Sequence, residues 1–285
     1  MERRDFLNLA KMGLLLGAGA PLMGSGFMSD NEHVKDFLWI EKHSRGTQKK
    51  EIITDIKEIE VEKEEIVLVN DEYKLLKKTF YRLRRIQRTV GYGNFNVINF
   101  DDALKLARDH SKIGNFTKEE IQLIEKLFYE NAAIYGFYGE KVLSSLTDNI
   151  AINETKKIPY TGHYLYRGKA EDVYKKIKKE IGSSIVLTSG VRGVVKQVYL
   201  FLNKARKVRG NLSIASRSLA PPGYSFHGIG DFDVGKVGLG LRNFSSHFAK
   251  TDEYKKLMDL GYIKIRYPQN NPYGVRFEPW HIKVT

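Results

Sequence analysis

From Asp71 onward the apolar positions fall into a clear rhythm. Leu75, Leu76, Phe80, Leu83 and Ile86 recur at three- and four-residue steps with Lys and Arg between them. That spacing gathers them on one face of a helix. The run Gly91-Tyr92-Gly93-Asn94 ends it, since such residues punctuate helices. Asp101 stands where an N-cap would open a second helix reaching about His110. In "NFTKEEIQLIEKLFYENAAIYG", Thr117 followed three residues later by Glu120 makes a capping box. The amphipathic pattern after it predicts a third helix ending near Gly136. The aromatics of "GFYGEKV" (136–142) read as core packing rather than as ligand contacts. Before these helices, "EIITDIKEIEVEKEEIVLV" (51–69) partly alternates apolar with polar and predicts a strand or two. Residues 30–156 are therefore expected to form a mainly helical N-terminal module.

After Lys157 the pattern changes. Ala170 to Ile181 predicts a helix, "SSIVLTSGVRG" a strand closing in a turn that holds Arg192, and Gln197 to Lys207 another helix. Past Leu212, short apolar runs alternate with Gly and Pro, as small antiparallel strands do. Asp252 to Leu260 predicts a short helix, and "GYIKIRYP" and "VRFEPWHIKV" closing strands. The stretch "PPGYSFHGIGDFDVG" (221–235) reads as a Gly-rich hairpin. The fold class is α+β, with a small antiparallel sheet and flanking helices.

Composition narrows the chemistry. A chain of 285 residues with 42% hydrophobic and 12% aromatic residues can bury one large core or two smaller ones. There is no cysteine, so disulfides, thiolate zinc sites, a Cys nucleophile and a lipid-modified Cys are excluded. Any metal must be held by His, Asp or Glu. The net charge of +13 permits anionic partners. Its cations are spread along helical stretches with no Arg-rich arm, so they read as solvated surface and not as a nucleic-acid tract. The N-terminus, "MERRDFLNLAKMGLLLGAGAPLMGSG", pairs Arg3 and Arg4 ahead of an apolar run from Leu9 to Met23. The run is short and rich in Gly and Ala for a membrane span. Residues 1–28 resemble a twin-arginine export signal cut near Gly24 to Ser29; the alternative is an anchor helix that stays attached. The expected location is periplasmic, with the membrane touched only through this signal.

Two pieces near the end carry chemistry. His227 and Asp233 lie in the first, and Glu278-Pro279-Trp280-His281 is the second. Two imidazoles and a carboxylate could hold zinc and leave a position open, and a spare carboxylate beside it could move a proton. Arg192, in a turn after an apolar strand, could grip a carboxylate bidentately or form a surface salt bridge. Alone, a His beside an Asp is more often a structural hydrogen bond, and Trp280 is more often core. The ordered ensemble is what points to a site.

That ordered set resembles the M15 metallopeptidases, the zinc D-alanyl-D-alanine carboxypeptidases and dipeptidases of VanY and VanX type. "SGVRG", "SFHGIGDFD" and "EPWH" stand where the family has its Arg turn, its His…Asp motif and its Glu-Pro-Trp-His. The resemblance covers residues 157–285. It implies a Hedgehog/DD-peptidase-like fold for that domain and zinc (Zn2+) as cofactor. It implies His227, Asp233 and His281 as ligands and Glu278 as the base. Arg192 would bind the substrate's terminal carboxylate or polarise its carbonyl, with Ser225 and Gln197 as substrate contacts. Peptidoglycan stem peptides would be the partners, and the bond between two terminal D-alanines the one cut. An endopeptidase of the same chemistry, or a wall-binding module without catalysis, are the alternatives. The family has one residue more between its His and Asp, so Asp231 is the rival of Asp233. Val191 and Gly193 replace the family's Tyr and Ser around the Arg.

Overall fold

Helix α1 (Asn70–Val90) forms where the apolar rhythm predicts it, burying Leu76, Phe80, Leu83 and Ile86. Gly91, at φ 85°, ends it in a region that favours glycine. This computed structural model describes residues 64–285. The expected export signal (residues 1–28) and most of the strand-like stretch 51–69 lie outside the described residues; inside them, that stretch makes one isolated bridge, Val67 with Asn211. Helix α2 (Phe100–Asp109) is capped by Asn99, whose side chain accepts from Asp102 N at 2.7 Å. The expected cap, Asp101, falls inside the first turn instead. The buried Phe100 has to join the helical face, which moves the start back.

Helix α3 (Lys118–Tyr129) opens with the predicted capping box. Glu120 N donates to Thr117 Oγ1 at 3.3 Å, and Thr117 N donates to Glu120 Oε2 at 2.8 Å. The helix stops at Tyr129 rather than near Gly136. Asn131 caps a separate 3-10 turn over Ala132–Tyr135, which Gly136 closes at φ 78°. Glu120 also accepts from buried Arg82 Nε at 2.8 Å, and Arg82 donates onward to the carbonyls of Ile113 and Gly114. Breaking one side of a buried ion pair costs about 3–5 kcal/mol, whereas losing a cap costs about 1 kcal/mol. Denaturant unfolding is therefore expected to show Glu120→Ala several times more damaging than Thr117→Ala.

Strands β1 (Thr155–Ile158) and β2 (His163–Tyr166) form an antiparallel hairpin. Helix α4 (Lys169–Ile181) follows, then strand β3 (Ile185–Ser189), helix α5 (Val194–Lys207) and helix α6 (Leu212–Ser216). Strand β4 (Phe232–Lys236), helix α7 (Asp252–Asp259) and strand β5 (His281–Ile282) complete the chain. A three-stranded antiparallel sheet runs in the order β3-β4-β5. Leu187, Phe232, Val234 and Ile282 join Tyr174, Ile177 and Trp280 in its core. Alternation along β4 then turns Asp233 to the other face, with Ser189 and His281 opposite it on the flanking strands. Helix α1 packs on α5, where Phe80 stacks on Tyr199 at 5.1 Å. From Lys63 to Thr285 the chain is one compact unit.

The region past Leu212 is not the series of small strands its punctuation suggests. It holds α6, α7, three short 3-10 segments and only two strands. The 221–235 stretch is not a hairpin either. A 3-10 turn at Phe226–Gly228 leads into β4, whose partners come from elsewhere in the chain. "GYIKIRYP" contributes one bridge, Ile265 with Ile282. Gly and Pro break local structure, and they do not say whether a strand or a turn lies between them.

Candidate metal centre

The site is assembled on the open face of the small sheet. After β3, Gly190 runs so close to β2 that a Cβ there would collide with the Tyr164 carbonyl. Val191 N donates to that carbonyl at 2.7 Å, Gly193 N to Asn96 O at 2.7 Å, and Arg192 N to His227 O at 3.2 Å. The Arg turn is thus pinned to the hairpin, to the helical region and to the His227 turn at once. Gly190 O accepts from His227 Nδ1 at 2.9 Å.

A carbonyl only accepts, so His227 Nδ1 carries the proton and Nε2 presents a lone pair. Nε2 lies 3.3 Å from Asp233 Oδ1. Burial and the nearby Arg192 push the His227 pKa down, so the ring is neutral and two acceptors face each other. Asp233 Oδ1 is buried and has no hydrogen-bond partner among the described residues. His281 Nδ1 approaches the same oxygen at 3.9 Å. One ligand atom from each of His227, Asp233 and His281 lies within 4.8 Å of the others. Facing acceptors in a buried place are costly, and a cation between them would relieve that cost. Two imidazoles and one carboxylate suit a borderline divalent ion.

Asp231, the rival carboxylate, is engaged elsewhere. It accepts from Arg266 Nε at 2.6 Å and Nη2 at 3.1 Å, and from Val284 N at 2.8 Å. Burial alone would raise its pKa, but His281 and Arg266 hold its carboxyl far below the usual carboxylate range. Its Oδ2 lies 3.2 Å from His281 Nε2, which leaves Nδ1 of that ring facing Asp233. The structure therefore brings Asp233 together with both imidazoles, and places Asp231 behind His281, paired with Arg266.

Glu278 and His281 meet in a tight turn rather than along a strand. His281 N donates to Glu278 O at 3.1 Å, and Nδ1 lies 3.3 Å from Glu278 Oε2. Burial pushes the Glu278 carboxyl up, against the pull of His281. Burial would lower His281, but Asp231, Glu278 and Asp233 outweigh it and raise the ring to about 9. Arg192 is buried, not a surface cation. Its Nη1 donates to Gln197 Oε1 at 3.0 Å and its Nη2 to Ser189 Oγ at 3.0 Å, with Asp233 Oδ2 3.8 Å away. Gln197 also donates to Ala220 O. It is not among the cleft's walls and reaches them through Arg192 and Ala220.

These groups open onto a cleft of 320 Å³ that Ser225 also lines. Among the walls that sequence reasoning did not single out are His163, Lys196 and Tyr267. The Tyr267 hydroxyl is buried without a hydrogen-bond partner among the described residues. No motif marks these three, because packing between distant elements brings them in.

Residues 165–284 match the family model described as VanY: D-alanyl-D-alanine carboxypeptidase. Over this segment the chain is similar to that family. The matched segment contains every cleft residue named above except His163, and the helices before it lie outside the match. No curated protein matches the chain. Among solved structures, an LdcB LD-carboxypeptidase described for peptidoglycan recognition is 27% identical, over 45% of this chain and 62% of that one, with TM-score 0.38. A vancomycin-resistance D,D-pentapeptidase VanY mutant in complex with Zn(II) is 21% identical, over 46% and 78%, with TM-score 0.35. A D,D-dipeptidase, VanXYg, bound to a D-Ala-D-Ala phosphinate analogue is 23% identical, over 45% and 52%, with TM-score 0.36. The chain thus spans under two thirds of the LdcB relative it matches.

Proposed function

We propose that the protein is a zinc-dependent carboxypeptidase that removes the terminal D-alanine from peptidoglycan stem peptides. The observation that carries this reading is the buried, partnerless Asp233 Oδ1 facing the His227 lone pair, with His281 closing the group. His227, Asp233 and His281 would hold the zinc ion, which when bound would supply Lewis acidity at the reacting bond. Glu278, pushed up in pKa by burial, takes the proton from the attacking water and passes it to the leaving amine. Arg192, fixed by Gln197 and Ser189, donates to the oxygen on which negative charge grows. Ser225 lines the cleft beside these groups and holds the peptide backbone. Asp231, clamped by Arg266, keeps the His281 ring in the orientation the ligand set needs.

The reading extends to the rest of the chain. Residues 1–28 act as the export signal that delivers the protein to the periplasm, where its substrate is. Residues 157–285 are the catalytic part, and the helical region before them braces the Arg turn through Asn96. Digestion of purified muropeptides, with products identified by mass, tests the bond assignment. Release of free D-alanine is expected. Split cross-links would instead make the protein an endopeptidase of the same chemistry. No hydrolysis, with no stoichiometric metal, would leave a wall-binding module.

A further inference from the structure

We propose that Lys196 is the receptor for the free C-terminal carboxylate of the substrate, and so the residue that makes this cleft select peptide ends. The inference rests on the peptidase reading of the cleft and deepens it.

Lys196 lines the same cavity as Arg192, Ser225 and Glu278. It is half-buried. Among the described residues no ion pair or hydrogen bond to a carboxylate engages its ammonium, which sits 5.6 Å from the Phe95 ring and 5.7 Å from Tyr199. Burial and the adjacent Arg192 lower its pKa to about 8, so most of the charge survives at neutral pH. His163, on the same wall, is held at about 4 by burial and by Lys196 and Arg192, and is neutral. The wall therefore carries two cations, while the cleft's carboxylates, Asp233 and Glu278, are turned toward the imidazoles. A partly desolvated cation without a counter-charge is costly unless a ligand supplies one.

The helix itself argues the same way. Among the described helices of eight residues or more, α1, α2, α3, α4 and α7 each carry two acidic residues in the first turn. Helix α5 alone carries none there and has Lys196 as its third residue. A helix N-terminus favours negative side chains, so this cation stands against the local preference, as residues kept for function do.

The two cations divide the work. The Arg192 guanidinium is already committed to Gln197 and Ser189 and lies against Asp233, beside the reacting bond. Lys196 has open donors in the next stretch of the same wall. The terminal carboxylate follows the scissile carbonyl by one residue, a reach of about 3.5 Å. An internal peptide bond would offer a neutral amide at that place and leave the ammonium unpaired, which selects against it.

The test uses the full chain loaded with zinc. Calorimetry compares an N-acetylated peptide ending in D-alanyl-D-alanine with its C-terminal amide, in a Glu278→Gln background to prevent turnover. With Lys196 present the acid should bind at least tenfold tighter than the amide. Lys196→Met should bind both alike, Lys196→Arg should keep most of the preference, and zinc content should stay unchanged in all three. With Glu278 restored, Lys196→Met should raise KM for the acid while kcat holds. An acid preference that survives in Lys196→Met, or that is absent with Lys196 in place, overturns the inference. If the protein hydrolyses no wall peptide yet loses its acid preference in Lys196→Met, the receptor stands and the peptidase reading falls. If hydrolysis proceeds with KM unaltered in Lys196→Met, the receptor falls and the peptidase reading stands.

Discussion

Glu278→Gln is expected to lower kcat for D-alanine release by about 10²–10⁴-fold, the span that a positioned acid–base group contributes, with one zinc still bound per chain. The substitution keeps the size of the side chain and removes its ability to hold a proton. Glu278 lies outside the three-residue group that can hold the ion, yet its Oε2 is 3.3 Å from His281 Nδ1. Zinc retention should therefore separate from hydrolysis. Steady-state kinetics and metal analysis on the same preparation check it. Undiminished turnover would move the base elsewhere, and loss of zinc along with activity would make Glu278 a ligand.

The second large effect separates the two aspartates. Asp233→Asn is expected to remove the ligand and to lower zinc affinity by well over the 10–100-fold typical of an orienting partner. The metal-free chain should change less in stability, because Asp233 Oδ1 has no hydrogen-bond partner to lose among the described residues. Asp231→Asn should behave in the opposite way. It leaves the buried Arg266 guanidinium, paired with Asp231 at 2.6 Å, without its counter-charge, at a cost of about 3–5 kcal/mol. Its zinc affinity should fall only within the 10–100-fold range. The Asp231 carboxyl is held low in the folded chain, so its contribution is present above the ordinary Asp pKa and is lost as pH falls below it. Denaturant unfolding and competitive metal titration of both variants decide the matter. An Asp231→Asn chain of unchanged stability that binds no zinc would reverse the assignment.

What the sequence made legible follows from where each determinant lies along the chain. The helices α1, α3 and α4 are set by apolar period, and α3 also by its capping box, and these are visible in a window of a few residues. Strand β5 is two residues long and exists only because β4 pairs with it, so no period could announce it. The His227, Asp233, Glu278 and His281 set was legible because its spacing and order are carried by short motifs. Asp231 could not be told from Asp233 by strand parity, since both fall on the same side. The deciding partner, Arg266, lies 35 residues away in sequence. Lys196, His163 and Tyr267 face the cleft through packing among α5, the β1–β2 hairpin and the segment before β5, and none of these carries a motif. Gln197 shows the converse. Its position after the Arg turn was legible, but only its hydrogen bond to Arg192 shows that it supports rather than touches the cleft.

The central claim is that the three-residue group holds a zinc ion on which hydrolysis depends. Zinc content and D-alanine release, followed in one sample through chelation and stepwise re-addition of zinc, test it most directly. The account predicts that release falls to background in the metal-free chain and returns in proportion to bound zinc, reaching full rate at one ion per chain. Full-rate release from the metal-free chain, or one bound zinc per chain with no hydrolysis of any wall peptide, would contradict it.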